Sequence, residues 1–330
     1  MVRMRRLIFN AAAFVPGVAA IPAVKRRIVN RAMGTGGTIS GRYCYSVWFR
    51  HLAHAANSGL QTCPRVVAEL GPGDSLGAGI AALLSGAEQY FALDVVAHAN
   101  VERNLEVLDE LVALFSARAD IPDDREFPGV YPKLGDYRFP SSIMGRERLE
   151  ACLHPDRIAR IRHSLTDTAA PGSMVQYRAP WLDSSVIQPG AIDMIFSQAA
   201  LEHIDELEQA YRGMRLWLAP NGFLSHEIDF SSHGWADHWD GHWVHPDWKW
   251  KLIRGRDAWS INREPESTHL RILDREGFRI VFHERGRAQS NITRARLAAR
   301  FRGATTEDLT TSSTFLQAVR RSPEVPTFKV

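Results

Sequence analysis

Residues 66–77, Val-Val-Ala-Glu-Leu-Gly-Pro-Gly-Asp-Ser-Leu-Gly, constrain the fold of this chain more than any other segment. A short apolar strand delivers Glu69 and then enters a turn built on Gly71 and Gly73. Without a Cβ, glycine reaches backbone dihedrals closed to other residues, so such a turn is tight and lets a ligand approach the main chain. The apolar run 80–84 that follows reads as a helix whose N-terminus faces the same ligand. The next strand, 89–93, runs into Asp94, 23 residues after Gly71. An acid at that distance suits the two hydroxyls of an adenosine ribose. Together these pieces make a nucleotide-cofactor cradle.

Two kinds of cofactor share this plan. The dinucleotide fingerprint requires G-x-G-x-x-G, whereas these glycines stand at 71, 73 and 77, with Leu76 at the third position. An acid two residues before the first glycine is not part of that fingerprint. It suits a ligand with a cationic amino-acid tail. S-adenosylmethionine carries an ammonium and a sulfonium but no pyrophosphate, so its site needs carboxylate more than phosphate-binding amides. Here the chain resembles the class I S-adenosylmethionine-dependent methyltransferases, whose first motif runs acid-x-Gly-x-Gly-x-Gly; Ser75 replaces the third glycine. Further along, Asp193-Met-Ile-Phe-Ser197-Gln198-Ala199-Ala-Leu-Glu202-His203 looks like that family's fourth strand and the loop after it. A helix over 207–218, the turn Pro220-Asn221-Gly222 and a strand over 223–229 are the family's usual sequel. A helix at 270–276, a strand at 277–283 and a last strand at 314–319 complete a resemblance that covers roughly residues 60 to 320.

The resemblance implies an α/β, Rossmann-like class I methyltransferase fold: a seven-stranded, mostly parallel sheet with an antiparallel last strand. Residues 1–60 are expected to form an N-terminal helical extension and candidate lid, and 61–330 the methyltransferase domain, with insertions at 118–165 and 230–262. The cofactor would be S-adenosyl-L-methionine. It would lie on Glu69, Gly71, Pro72 and Gly73, on Asp94 and Val95, on Ala179, Pro180 and Trp181 after the third strand, and on Ser197, Gln198 and Ala199 after the fourth. Trp181 is either a stacking face for adenine or a residue closing the domain edge. A nicotinamide-dependent enzyme and a non-catalytic cofactor-binding scaffold are the alternatives.

Methyl transfer is an in-line displacement from sulfonium, so the enzyme mainly positions the acceptor and excludes water. Only the acceptor's proton needs a residue. His203 is the first candidate for a general base toward a hydroxyl, with His226 and Asp229 second. A small-molecule or saccharide acceptor is expected from the segment 226–262, which holds six of the nine tryptophans and five histidines. It follows the fifth strand, where this fold builds its acceptor pocket, and indole faces stack on sugars, flat rings and cations. The bland alternative is a hydrophobic flap. His238 and His242 are one helical turn apart, with Asp229, His233, Asp237 and Asp240 nearby, but the spacing matches no defined metal site and no metal is assigned.

Composition fits this class. The chain has 330 residues, 45% hydrophobic and 23% charged, enough for one large domain with additions. A net charge of +3 is too small to indicate a nucleic-acid partner. Six arginines and no acid between 285 and 302 read as a solvated face or an anion-attracting stripe. Cys44, Cys63 and Cys152 form no disulfide or metal pattern, which points to a reducing, cytoplasmic setting. Arg3, Arg5 and Arg6 precede an apolar stretch, 7–21, broken by Asn10 and Pro16. It is too short to span a bilayer, and peripheral membrane contact or packing on the protein's own surface is expected of it.

Overall fold

The computed structural model describes residues 37–181, 183–255 and 260–321; the basic N-terminal stretch and Trp259 lie outside the described residues. In chain order the elements are α1 (Gly41–Asn57), β1 (Val66–Leu70), α2 (Gly77–Leu84), β2 (Gln89–Leu93), α3 (Val101–Ser116), α4 (Arg146–Cys152), α5 (Pro155–Thr166), β3 (Val175–Arg178), β4 (Ile192–Gln198), α6 (Leu207–Trp217), β5 (Leu218–Asp229), α7 (Asp247–Arg254), α8 (Glu266–Arg275), β6 (Phe278–Arg287) and β7 (Thr311–Arg320). β1 and β2 each bury four consecutive residues, the pattern of strands covered on both faces.

The strands form one sheet in the order β3-β2-β1-β4-β5-β7-β6. Neighbours from β3 to β5 are parallel, while β7 runs antiparallel to both β5 and β6. This is the Rossmann-like class I methyltransferase fold that the resemblance implies. Because side chains alternate along a strand, Val67, Tyr90, Ala92, Met194 and Phe196 feed one core layer, and Ala68, Leu70, Phe91, Leu93 and Ile195 feed the other. The turn expected at 220–222 lies inside β5. Leu218 pairs with Ile192 and Phe223 with Met194, so four residues of β5 are accommodated opposite Asp193 alone, as an irregularity rather than a break.

α1 packs as part of the core layer. Its N-cap is Ser40, and Cys44, Tyr45, Trp48, Phe49 and Leu52 are fully buried in the same cluster as β1, α2 and α3. α1 also secures the first insertion. Arg50, with no exposed surface, donates to the carbonyls of Pro122 (3.2 Å), Val130 (3.3 Å) and Pro132 (2.7 Å) and pairs with Asp124 at 3.1 Å. That fork of donors orders a stretch poor in regular structure.

The second insertion builds a satellite. Trp243, Ile292, Leu297, Ala298, Phe301 and Leu309 form a small core of their own, drawn from the segments after β5 and before β7. Among the described residues, no helix is long and apolar enough to cross a membrane.

Candidate functional site

Parallel strands end on a common edge, and at this one the sequence-predicted residues of β1, β2 and β4 meet. Gly71 (φ +67°) and Gly73 (φ +78°) occupy left-handed backbone. The Gly71 amide donates to the Leu93 carbonyl (2.8 Å), tying the turn to β2. A Cβ on Gly71 would come 2.6 Å from the Cβ of Ala200, so the turn also fits directly against the loop after β4. Pro72 between the glycines is buried.

Asp94 stands at the tip of β2 and is 4% exposed. Its Oδ1 accepts from the amide of Val95 (2.7 Å), whereas its buried Oδ2 has no hydrogen-bond partner. Burial pushes its carboxyl up to about 6, against amides of Val95, Val96 and Gly73 that draw it down. A buried carboxylate oxygen without a donor is costly, and a ribose hydroxyl would supply one. Glu69 behaves differently from the expectation of direct contact with a cationic tail. Strand alternation turns it under α2, where its carboxylate accepts from the Tyr90 hydroxyl at 2.5 Å, and burial pushes it up to about 8. It supports the turn from below.

The amides at the start of α2 are already engaged. Asp74 N–H donates to Thr38 Oγ1 (3.0 Å), Leu76 N–H to Asn104 Oδ1 (2.9 Å) and Gly77 N–H to Ser75 Oγ (3.1 Å). Ser75, the departure from the glycine motif, thus covers a helix-terminal amide, and its own hydroxyl donates to the Thr38 carbonyl. A pyrophosphate would find none of these donors unoccupied.

After β3 the Ala179-Pro180 peptide is cis. Trp181 is a correction: it is 6% exposed and meets Trp217 edge to face, with centroids 5.7 Å apart, so its indole belongs to the core and presents no stacking face. Ser197 is likewise turned away from the edge, fully buried with its hydroxyl 2.8 Å from His226 Nδ1. That buried imidazole is depressed to about 3 by desolvation, which removes His226 as a base for an acceptor at the edge. Gln198 and Ala199 remain at the end of β4. Gln198 joins His51 (3.2 Å), the Tyr131 carbonyl (3.2 Å) and Glu227 (3.2 Å), and Ala199, at φ +49°, donates its amide to Glu227 at 3.0 Å. Glu227 and His51 were not among the sequence candidates. Both lie in strand or helix patterns indistinguishable from core, and only the fold brings them to Gln198.

Beside this network, Glu202, His203, Asp229 and His233 converge. His233 Nε2 is 3.1 Å from Asp229 Oδ2 and 3.9 Å from Glu202 Oε1, while His203 Nε2 is 4.0 Å from that same oxygen. Glu202 is 3% exposed and neither of its carboxylate oxygens completes a hydrogen bond. Burial, then the negative neighbours Glu227 and Asp229, push its carboxyl well above the carboxylate range, against the backbone amides of Glu202 and Asp229, which draw it down without completing a hydrogen bond. Burial alone would raise Asp229 too, but the hydrogen bond and charge of His233 bring it below its ordinary value. His203, the expected base, has a side chain 18% exposed and sits with His233 on the open side, the ring centroids 5.1 Å apart. The His238–His242 pairing does not form a site: His242 is 1% exposed and held to about 3 by burial, whereas His238 is exposed.

Among the described tryptophans of the segment, two are buried in the flap, two are half-buried and one is exposed. Trp243 and Trp250 are buried, Trp243 donates to the Arg263 carbonyl (3.1 Å), Trp239 donates to the Gln289 carbonyl (2.9 Å), and Trp248 is 67% exposed. The segment returns to the edge through Asn262, whose side-chain amide donates to the carbonyls of Leu201 (2.9 Å) and Ile204 (2.8 Å). Of the arginine stripe, Arg285, Arg287 and Arg300 pair with Glu266, Glu307, Asp247 and Glu264 of the chain itself, so it is largely a solvated, self-paired face.

No family model and no curated protein matches the chain. Among solved structures, it is similar to an S-adenosylmethionine-dependent methyltransferase from Mesorhizobium loti, with 16% identity over 81% of this chain and 96% of that one and a TM-score of 0.41. It is also similar to a putative S-adenosylmethionine-dependent methyltransferase from Listeria monocytogenes, at 14% identity over 86% and 100% of the two chains, TM-score 0.41. Haemonchus contortus phosphoethanolamine N-methyltransferase 2, in complex with S-adenosyl-L-methionine, is 12% identical over 85% of this chain and 57% of that one, TM-score 0.40.

Proposed function

We propose that this chain is an S-adenosylmethionine-dependent methyltransferase acting on a hydroxyl of a small-molecule or saccharide acceptor. The observation that carries the reading is the pairing of an unpartnered Asp94 Oδ2 at the tip of β2 with a glycine turn whose following amides are taken by Thr38, Asn104 and Ser75. Such a cradle offers an acceptor to ribose and keeps three amides of the turn from a phosphate, which favours a sulfonium cofactor over a nicotinamide one. When bound, S-adenosylmethionine supplies an electrophilic methyl group.

The chain's own residues do the rest. Gly71 and Gly73 let the backbone pass close beneath the cofactor, Glu69 and Tyr90 brace that turn, and Asp94 would accept from the ribose. Ala179 and Pro180 after β3, with Gln198 and Ala199 after β4, are the remaining candidates to border it. Gln198 and Ala199 are held in place by Glu227. For a hydroxyl acceptor, His203 would receive the proton, at the open side of the cluster with Glu202 and His233. The segment held by Asn262 over the loop after β4 would exclude water.

Calorimetry decides the cofactor. S-adenosylmethionine is expected to bind at one equivalent and NADH not at all, with Asp94→Ala weakening the former at least about tenfold, as expected for loss of a charged hydrogen-bond acceptor. Heat from NADH with none from S-adenosylmethionine would overturn the reading. A screen of hydroxylated acceptors with labelled methyl donor then tests the acceptor class.

A further inference from the structure

We propose that Glu202, His203 and His233 form a binding site for one divalent transition-metal ion, at the carboxyl ends of β4 and β5, with Asp229 beside His233. Ligand atoms held about 2.0–2.2 Å from a common ion stand roughly 3 to 4.3 Å apart. Glu202 Oε1 stands 3.9 Å from His233 Nε2 and 4.0 Å from His203 Nε2, spaced for shared coordination, while Asp229 holds His233 at 3.1 Å. One ligand atom each from Glu202, His203 and His233 lies within 4.8 Å of the others.

An independent observation points to an ion. Glu202 is 97% buried by the complement of its 3% exposure, both its oxygens lack hydrogen-bond partners, and no arginine or lysine pairs with it among the described residues. A carboxylate so placed, next to two further carboxylates, is stable only if protonated or if a cation neutralises it. His203 and His233 reach it from the solvent side, which leaves the ion an entry path. Two imidazoles with one carboxylate suit zinc or a neighbouring first-row ion, with a fourth position left open, and disfavour magnesium and calcium. His233 stands at φ +46°, in left-handed backbone where histidine, asparagine and aspartate are enriched among non-glycine residues. With an ion bound, His203 Nε2 is a ligand and the proton role proposed for it is replaced by the acidity of whatever hydroxyl or water the ion carries.

The test uses the full chain, stripped with chelator and free of methyl donor. Titration with Zn2+ by calorimetry, and with Co2+ followed by its visible absorption, is expected to show one saturable equivalent and a rise in melting temperature on metal addition. His233→Asn, which tolerates the left-handed backbone, is expected to weaken binding more than about tenfold, and Glu202→Gln to do the same, while the exposed His238→Ala leaves it unchanged. Circular dichroism establishes that the variants are folded, and if Glu202→Gln is not, His233→Asn decides alone. Absence of a saturable equivalent, or binding that His233→Asn leaves intact, would overturn the site. Because the readout is metal binding without donor, its failure is distinct from failure of the methyl-transfer reading.

Discussion

At the scale of single residues, the cradle works because each side chain has a defined direction. Glu69 lies on the same face of β1 as Val67, so strand alternation sends it under α2 to Tyr90, whereas Asp94, one residue beyond β2, is released from that alternation and stays at the edge. Glu69 carries a testable consequence. Its folded-state value of about 8 stands above the ordinary 4.5, so the folded chain holds a proton that the unfolded chain releases. The stability from that proton is present below about pH 4.5 and is lost as pH rises toward 8. Glu69→Gln removes the titration while its amide oxygen still accepts from Tyr90. Relative to the native chain, its melting midpoint is expected to climb between pH 5 and pH 8 by about 2–4 °C for each kcal/mol of relieved burial. Parallel melting curves at both pH values would refute this. Ser75 is legible only in part: the sequence shows a missing glycine, and the structure shows its hydroxyl covering Gly77 N–H.

At the scale of elements, loops are where sequence and structure part company. The apolar and alternating runs of β1, β2, β4 and β7 were readable because burial on both faces leaves a near-continuous hydrophobic signature. The loop after β4 has no such signature, and the returning segment meets it through Asn262, some 60 residues away, and through Arg254, which pairs with Asp205. Asn262→Ala deletes two side-chain hydrogen bonds, at a cost on the order of 2 kcal/mol, and exposes the flap. Limited proteolysis is expected to cut within 230–255 faster in this variant, with S-adenosylmethionine affinity within about twofold of the native chain if donor and flap are separate elements. Equal cleavage rates would show that Asn262 does not hold the flap.

For the whole molecule, the satellite core around Trp243 shares no residue with the two layers on the sheet, so the two are expected to lose structure separately. Trp243→Ala leaves a large cavity there, worth about 3–5 kcal/mol. Calorimetric melting is expected to show a new, earlier transition while the main transition and donor binding persist; a single transition shifted as a whole would mean that the satellite and sheet unfold as one. The sequence by itself determined the strands and the glycine cradle, because periodic burial and backbone dihedrals are local properties written into neighbouring residues, while the sheet and its reversed last strand were what the family resemblance implied. Only the tertiary structure decided that Trp181, Trp243 and Trp250 are buried, that α1 packs in one core layer with β1, α2 and α3, and that His233 rather than His238 or His242 meets Glu202 and His203. Those outcomes depend on where distant segments cross, and burial without a partner, as at Glu202 and Asp94, exists only once the chain has closed around it.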